Sequence, residues 1–239
     1  IMATEVTIVV GATSGIGYDL TKELLKSTND KVMALGRRIE CFNDMQVARL
    51  IPYKLDLSSS EQIDSLINEM QKDEIVVNKL VYCAGLAPIT RIGELDYKTI
   101  QETYTINTFS FLYICNKLWQ YNLIKEEASI VALSSIVAEC NNYSQCVYGS
   151  SKIALNYIVK NLARVFAKNR VRVNALELGC VDTPMLRSLH QSEEQLRKYS
   201  LGVIPLKRVT GEILRLLSDE SSHMTGSIIT MDSGYLVNQ

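Results

Sequence analysis

The sequence contains no long uninterrupted run of apolar residues. No stretch approaches the roughly 18 residues of a membrane-spanning helix. The N-terminus also lacks a basic segment followed by a hydrophobic one. We therefore expect neither a transmembrane helix nor a signal peptide, and no membrane partner. The chain has no excess of positive charge either, because 25 basic residues face 26 acidic residues, for a net charge of −1. This balance argues against a nucleic-acid-binding protein, whose surface would be strongly basic.

Metal ligands and paired cysteines are scarce as well. There are two histidines, His190 and His223, and neither has a ligand-like neighbour, so we expect no metal site. None of the six cysteines forms a CxxC pair, which indicates reduced thiols and a cytoplasmic protein. Repeats, low-complexity tracts and linkers are absent. At 239 residues, 47% of them hydrophobic, the chain (1–239) is expected to form a single domain.

What the sequence does contain is an alternation of short apolar runs and longer helical patterns. The apolar runs predict strands at Thr7–Val10, Lys31–Leu35, Ile51–Leu55, Lys79–Tyr82, Ile130–Leu133, Val171–Ala175 and Ser227–Met231. Helices are predicted near 15–27, 58–72, 97–123 and 146–167. This order predicts an α/β fold, a doubly wound seven-stranded parallel sheet flanked by helices on both faces. Ligands of such sheets bind beyond the carboxyl ends of the strands.

A glycine-rich turn follows the first predicted strand. The segment Gly11-Ala12-Thr13-Ser14-Gly15-Ile16-Gly17 joins that strand to a helical pattern. Glycines let a backbone approach a phosphate closely, and a helix N-terminus offers free N–H groups and partial positive charge. The turn is therefore a candidate pyrophosphate site, although its GxxxGxG spacing differs from the common GxGxxG fingerprint. A plain tight connection between strand and helix would also account for the glycines.

A second candidate site lies in the helix predicted at 146–167. Tyr148 and Lys152 are four residues apart, so their side chains share one helix face. An ammonium about 5 Å from a phenolate would favour the charged form by about 3 kcal/mol, which lowers the phenol pKa by two to three units. Tyr148 would then serve as a general acid or base. A solvated surface Tyr-Lys pair is the alternative explanation for this spacing.

Taken in order along the chain, these features resemble the short-chain dehydrogenase/reductase family. The glycine turn matches, and Cys83-Ala84-Gly85 stands where the family usually has Asn-Ala-Gly. Similar matches continue at Asn174, through 179–185 and in the segment GSIITMDSGY at 226–235. The resemblance covers nearly the whole chain. It implies a Rossmann fold and an NAD(P)-dependent oxidoreductase that transfers a hydride between nicotinamide and a small-molecule carbonyl compound or secondary alcohol.

The resemblance also assigns roles to individual residues. It implies four catalytic residues: Asn107, Ser135, Tyr148 and Lys152. Ser135 would hydrogen-bond the carbonyl oxygen, Lys152 would hold the ribose, and Asn107 would keep a water in line. Ser134 competes with Ser135 for its role, and Asn107 could instead be a helix-interior residue bonded to backbone. The implied cofactor-binding residues are Gly11, Thr13, Ser14, Gly15, Ile16, Gly17, Arg37, Asp56, Leu57, Ala84, Gly85, Tyr148, Lys152, Gly179, Val181 and Thr183.

The end of the second predicted strand favours NADP(H) over NAD(H). An NAD-dependent enzyme usually carries an acidic residue here, which hydrogen-bonds the ribose 2′-hydroxyl. In this chain the position is Gly36, and the following Arg37 offers charge-assisted hydrogen bonds to a 2′-phosphate. The other interpretation is that Arg37 and Arg38 are solvated turn residues. Ser14 weakens the NADP interpretation slightly, because many NADP-using relatives have a basic residue there.

Three positions depart from the family pattern. Cys83 replaces an asparagine that ties neighbouring strands together, so local destabilisation or compensation is expected. Glu177 precedes Leu178 and Gly179 where Pro-Gly is usual, and it lies either at the surface or facing the substrate. The stretch at 206–217 is shorter than in relatives, through a true deletion or through omitted residues.

Substrate and assembly are less well determined by the sequence. The segment 182–206 is expected to form a substrate lid, and its mixed composition fits many alcohols and ketones. A 3-oxoacyl-carrier-protein reductase is an alternative, and so is a non-catalytic dinucleotide-binding sensor. A homotetramer or homodimer is expected from the resemblance. Apolar residues assigned to the outer side of two long helices would form its interface, or would belong to the core instead: Phe109, Phe111, Leu112, Ile153, Tyr157 and Val165.

Overall fold

The computed structural model describes residues 3–140, 142–188 and 196–238. Seven strands lie within them: β1 (Thr4–Val10), β2 (Lys31–Gly36), β3 (Leu50–Lys54), β4 (Ile75–Tyr82), β5 (Ile124–Ser135), β6 (Arg172–Leu178) and β7 (Ile228–Met231). All neighbouring strands are parallel, and their order in the sheet is β3-β2-β1-β4-β5-β6-β7. This arrangement confirms the predicted seven-stranded parallel sheet.

Helices cover both faces of the sheet. They are α1 (Gly15–Ser27), α2 (Ser60–Lys72), α3 (Tyr97–Tyr104), α4 (Ser110–Gln120), α5 (Cys146–Phe166), α6 (Pro184–Ser188) and α7 (Leu206–Leu217). A π-helical turn, Thr105–Phe109, joins α3 to α4 and interrupts the helix predicted at 97–123. Within the described residues, no helix is both long and apolar enough to span a bilayer.

Two hydrophobic cores lie on opposite faces of the sheet. Side chains alternate along a strand, so Ile8 and Val10 of β1 join the core beneath α2, α4 and α5, whereas Val9 joins the core beneath α1 and α7. A parallel strand buried on both faces needs a continuous apolar run, and β1 provides one. The doubly wound architecture follows from this pattern.

The segment at 206–217 forms one unbroken helix. Val209, Ile213 and Leu216 of α7 are buried in the second core, where α7 packs beside α1. The short segment therefore still covers its face of the sheet. Several predicted bounds were too narrow, most of all in β5, which has 12 residues.

Candidate active site

A cavity of about 680 Å³ opens at the carboxyl ends of the strands. It lies where β1 pairs with β2 on one side and β4 on the other, the point of a doubly wound sheet at which ligands bind. The site residues expected from the sequence that line it are Gly11, Thr13, Ser14, Gly15, Ile16, Arg37, Asp56, Leu57, Ala84, Gly85, Ser135, Tyr148, Lys152, Gly179, Val181 and Thr183. Gly17 and Asn107 are not in the lining, but both are buried and contact residues that are.

The glycine turn leaves no room for larger residues. Gly11 and Gly15 have φ angles of +79° and +52°, in the left-handed region. A Cβ atom on Gly17 would lie 2.3 Å from the Gly11 carbonyl oxygen, so α1 starts directly against the turn. Ser14 is the N-cap of α1, yet its side chain makes no capping hydrogen bond, and the first turn of α1 contains no acidic residue. Its N–H groups and dipole therefore suit the pyrophosphate of a dinucleotide.

The end of the cavity formed by β2 and β3 carries both signs of charge. Arg37 and Arg38 are exposed and line it, and Asp56 follows β3 on the other side. The backbone N–H and the hydroxyl of Ser58 both donate to Asp56, at 2.9 and 2.7 Å. These bonds lower the pKa of Asp56, and the nearby Arg37 guanidinium lowers it further. A hydrogen-bonded carboxylate beside exposed cations suits the polar groups of an adenosine.

Gly36 is confined by the glycine turn. A Cβ atom at Gly36 would lie 2.5 Å from the Cγ2 atom of Thr13, well inside van der Waals contact. A side chain at the end of β2 would therefore require the Thr13 side chain to shift. An aspartate or glutamate at position 36, next to Arg37, would meet the same contact with Thr13.

Tyr148, Lys152 and Ser135 lie together in the middle of the cavity. Tyr148 is in the first turn of α5, and the Ser135 hydroxyl at the end of β5 hydrogen-bonds its phenol. The Nζ atom of Lys152 lies 5.8 Å from the centre of the Tyr148 ring. It donates to the carbonyl oxygen of Leu133 at 2.8 Å. The helix spacing thus brings the two side chains to one face, beside the serine.

The charges of this group differ from the prediction. Burial raises the pKa of Tyr148, and the hydrogen bond from Ser135 offsets this only in part. Burial also lowers the pKa of Lys152 to about 8. When only the side chains of the protein are considered, the prediction that Lys152 lowers the pKa of Tyr148 is therefore wrong. The amine points to the Leu133 carbonyl, and burial penalises the charged form of both side chains. The phenol is thus held in its proton-donating form.

The π-helical turn positions Asn107. Its Oδ1 atom accepts from the Leu86 N–H at 2.7 Å, and its Nδ2 atom donates to the Leu86 carbonyl and to the Ser151 hydroxyl, both at 2.9 Å. Asn107 therefore fastens the loop after β4 to α5. A Cβ atom on Gly85 would lie 3.5 Å from Asn107 Oδ1 and 3.7 Å from Lys152 Nζ, so the asparagine and the lysine are close.

Glu177 is neither at the surface nor in the cavity lining, which corrects both sequence interpretations. It is 1% exposed and faces α5, where it accepts from Asn156 Nδ2 at 3.0 Å and from the Thr230 hydroxyl at 3.2 Å. It pairs across the sheet with Ser134, whose buried hydroxyl has no partner among the described residues. Ser134 therefore lies at the strand end, whereas Ser135 bonds Tyr148.

The backbone compensates for Cys83. Its N–H donates to the Val10 carbonyl at 2.8 Å, so β1 and β4 remain tied at the position where an asparagine side chain was expected. Burial raises the pKa of the Cys83 thiol to about 12, and the nearby Lys152 opposes this shift. Cys83 is thus a neutral packing residue beside the lysine.

The expected lid is only partly within the described residues, since 189–195 lie outside them. Before that gap, Thr183 faces Gly15 across the cavity, and Arg187 pairs with Asp182 at 2.8 Å. Val181, before the gap, forms a parallel bridge with Ile204, after it. Thr183 is therefore held beside the glycine turn. In the described part of the chain, no three His, Cys, Asp or Glu side chains are grouped as metal ligands.

Sequence reasoning missed a tyrosine wall that closes the cavity beyond Ser135. We define it as Cys140, Cys180, Tyr199 and Tyr235, all of which line the cavity. The two tyrosine rings lie 4.6 Å apart between centroids, and Tyr199 shares a hydrogen bond with the Cys180 side chain. These residues come from four separate segments, so no single sequence motif predicts that they lie together.

Comparison with known proteins is consistent with this geometry. A family model described as enoyl-(acyl carrier protein) reductase matches residues 11–236. The chain is 28% identical to a 3-oxoacyl-[acyl-carrier-protein] reductase of Thermotoga maritima, covering 98% of each chain. It is also 28% identical to a 3alpha-hydroxysteroid dehydrogenase of Mediterraneibacter gnavus, covering 97% of this chain and 96% of the relative.

Solved structures share the fold. A short-chain dehydrogenase family protein from Francisella tularensis superposes with a TM-score of 0.87 and 26% identity, over 99% of this chain and 100% of that chain. A 4-hydroxyisoleucine dehydrogenase complexed with NADH has a TM-score of 0.89 at 23% identity, over 98% and 100% of the two chains. The chain therefore belongs to the short-chain dehydrogenase/reductase family, and it is an NAD(P)-dependent oxidoreductase that acts on alcohol and ketone groups.

Proposed function

We propose that this protein is an NADP(H)-dependent oxidoreductase that interconverts a carbonyl compound and a secondary alcohol, with Tyr148 as general acid and base. One observation carries the proposal. Ser135, Tyr148 and Lys152 meet in the same cavity as the glycine turn and Arg37. A proton donor and a dinucleotide cradle are thereby within reach of one substrate.

The residues present fit the cofactor. The glycine turn and the N-terminus of α1 would hold the pyrophosphate, Asp56 and Leu57 the adenine, and Arg37 the 2′-phosphate. Lys152 would hold the ribose, and Thr183 would hold the carboxamide. When bound, the nicotinamide supplies or accepts the hydride. NADP(H) is favoured because Gly36 presents no carboxylate to repel a 2′-phosphate.

The chain's own groups handle the proton. In reduction, Ser135 hydrogen-bonds the carbonyl oxygen and Tyr148 donates its phenolic proton to that oxygen as the carbon accepts hydride. The carbonyl π bond breaks, a C–H and an O–H bond form, and a phenolate remains. Solvent then returns a proton to the phenolate. Asn107 fixes the loop and helix around this route through Leu86 and Ser151.

The decisive experiment is the Tyr148→Phe variant. We expect its ketone-dependent oxidation of NADPH to fall by about 10²–10⁴-fold, the usual contribution of a positioned acid–base group. NADPH binding, measured by fluorescence titration, should stay within a few-fold of the wild type. Near-normal turnover in this variant would refute Tyr148 as the acid. Tight NADPH binding by the wild type without turnover of any ketone would instead support a non-catalytic sensor.

A second candidate, 3-oxoacyl-carrier-protein reductase, is favoured by the likeness to the Thermotoga maritima relative. Reduction of acetoacetyl-carrier protein with NADPH, compared with free ketones, distinguishes the two. A carrier-protein substrate used at least tenfold more efficiently than free ketones would establish this alternative.

Assembly and compartment are also inferred. Apolar side chains remain exposed on α5 (Ile153, Tyr157 and Val165) and near α4 (Phe109 and Leu112). Such a patch suits a homotetramer or homodimer. Phe111 is excluded from it, because its side chain is fully buried in the core, which is the second of the two sequence interpretations. None of the six cysteines forms a disulfide, which is in keeping with the cytoplasm.

A further inference from the structure

The tyrosine wall limits what the cavity can hold on the substrate side. Tyr199 is 9% exposed, and a Cβ atom on Gly179 would lie 3.0 Å from its Cε1 atom. The ring therefore packs closely against the backbone at Gly179, in the loop after β6. Ile136, which follows Ser135 directly, is buried in the same apolar cluster, and Leu186 packs against it. The wall is thus continuous with the residues that surround the reacting carbonyl.

Tyr235 is held in place by a turn. The Asp232 carboxylate accepts from the Gly234 and Leu236 N–H groups at 2.9 and 2.8 Å, so it fixes the backbone on both sides of Tyr235. Burial raises the pKa of Tyr235, and the neighbouring Cys140 and Cys180 side chains add to that effect. The phenol therefore faces the two thiols as a neutral group. A preformed aromatic surface of this kind favours a rigid ring over a flexible chain.

The two arginines of the lining lie at the opposite end of the cavity. Among the described lining residues, the basic side chains are Arg37, Arg38 and Lys152. Arg37 and Arg38 directly follow β2, whereas Lys152 lies beside Tyr148 and bonds the Leu133 carbonyl. The remaining ionised lining side chain besides Asp56 is Glu102, which pairs with Lys98 at 3.8 Å. Apart from Lys152, which bonds the Leu133 carbonyl, the described lining offers a substrate carboxylate no basic side chain outside the end of β2.

We propose that the preferred substrate is a neutral cyclic ketone, or the matching cyclic secondary alcohol, whose ring packs against Tyr235 and Tyr199. This inference rests on the proposed function and narrows its substrate class. The thiols of Cys140 and Cys180 and the phenol hydroxyls are uncharged, polarisable groups that accommodate a neutral ring with few polar substituents.

The test compares ketones of similar size with NADPH and the full-length protein. Cyclohexanone and 2-tetralone represent neutral rings, 2-heptanone an open neutral chain, and 4-oxocyclohexanecarboxylate an anionic ring. We expect kcat/KM to be about tenfold higher for the neutral rings than for either of the other two, the discrimination that one apolar contact surface provides. A higher kcat/KM for the open chain, the anionic ring or acetoacetyl-pantetheine would overturn the inference and leave the proposed function standing. No reduction of any ketone would overturn the proposed function itself.

Two variants tie the preference to the wall. Tyr235→Ala should lower kcat/KM for 2-tetralone about tenfold and for 2-heptanone less than about threefold, because the ring loses its aromatic partner. Tyr235→Phe keeps the ring and should retain the preference. Tyr97→Ala, at an exposed position on α3, is the matched control. An equal loss with both ketones in Tyr235→Ala, while NADPH affinity and the unfolding temperature match the wild type, would show that the wall does not select the ring.

Discussion

At the end of β2, Gly36 places no acidic side chain next to Arg37. Gly36 has no room for a side chain because Thr13 packs against it. Arg37 is exposed beside the cavity, and it lies near Asp56, whose carboxylate is already bonded to Ser58. A guanidinium in this position is available to bind a phosphate bidentately.

Replacing this arginine tests the cofactor preference. In Arg37→Ala we expect the Michaelis constant for NADPH to rise by about tenfold or more, the value of one charge-assisted contact of about 1.5–3 kcal/mol. The Michaelis constant for NADH should stay within about twofold, since NADH has no 2′-phosphate to lose its partner. Arg91→Ala, at an exposed residue before α3, is the control. Equal effects on both cofactors would refute the assignment.

Among the strands and helices, β6 is unexpected because it contains a buried acidic residue, Glu177. Glu177 pairs with the buried Ser134 on β5 and the exposed Thr230 on β7, and it bonds Asn156 of α5. The Oδ1 atom of Asn156 has no hydrogen-bond partner among the described residues. Burial raises the pKa of Glu177, and the nearby acidic residues Glu139 and Asp232 raise it further, against the bonds from Asn156 and Thr230. Folding therefore favours the protonated acid.

The sign of the pH dependence follows from this shift. A carboxyl whose pKa is higher in the folded state binds more protons there, so its contribution to stability is lost as pH rises from its ordinary value of about 4.3 through the raised value. Glu177→Gln should therefore be more stable than the wild type at neutral pH, with the difference shrinking as the pH falls toward about 4. Urea unfolding at several pH values measures it. A difference that is constant with pH would show that Glu177 does not titrate on folding.

The sequence predicted some elements well and others poorly, for physical reasons. The bounds of α1 agree with the expected 15–27 because the glycine turn fixes its start. The π-turn could not be foreseen. TINTF contains no helix breaker, and tertiary contacts accompany the turn, among them the bonds from the Ser110 hydroxyl to the Leu57 and Thr105 carbonyls. Similarly, the Tyr-Lys spacing predicted a shared face, but not that the amine would point to a carbonyl of β5.

At the scale of the whole molecule, the motif residues were predictable because each motif, such as the glycine turn or the Tyr-Lys pair, is a short continuous stretch of the sequence. The tyrosine wall was not, because it assembles from segments far apart in the chain whose positions depend on the complete sheet. The burial of Phe111 likewise depends on the complete fold, because its sequence neighbours Phe109 and Leu112 are exposed. The π-turn before α4 determines which face of that helix points outward.

The exposed apolar patch on α4 and α5 gives a test of assembly. Ile153→Glu should convert the wild-type oligomer to smaller species, because a charge within an apolar interface loses its hydration. Sedimentation velocity measures the change. Leu201→Glu, at another exposed apolar residue away from these helices, is the matched control and should leave the mass unchanged. A monomeric wild type would contradict the proposed assembly.

The contact between Gly36 and Thr13 also bears on how this protein could be re-engineered. Introducing an aspartate at 36 to recruit NADH would force its Cβ atom against the Thr13 methyl group. An aspartate at position 36 therefore requires Thr13 to shift or to be replaced by a smaller residue. An attempt to alter the proposed coenzyme preference would start by changing the two positions together.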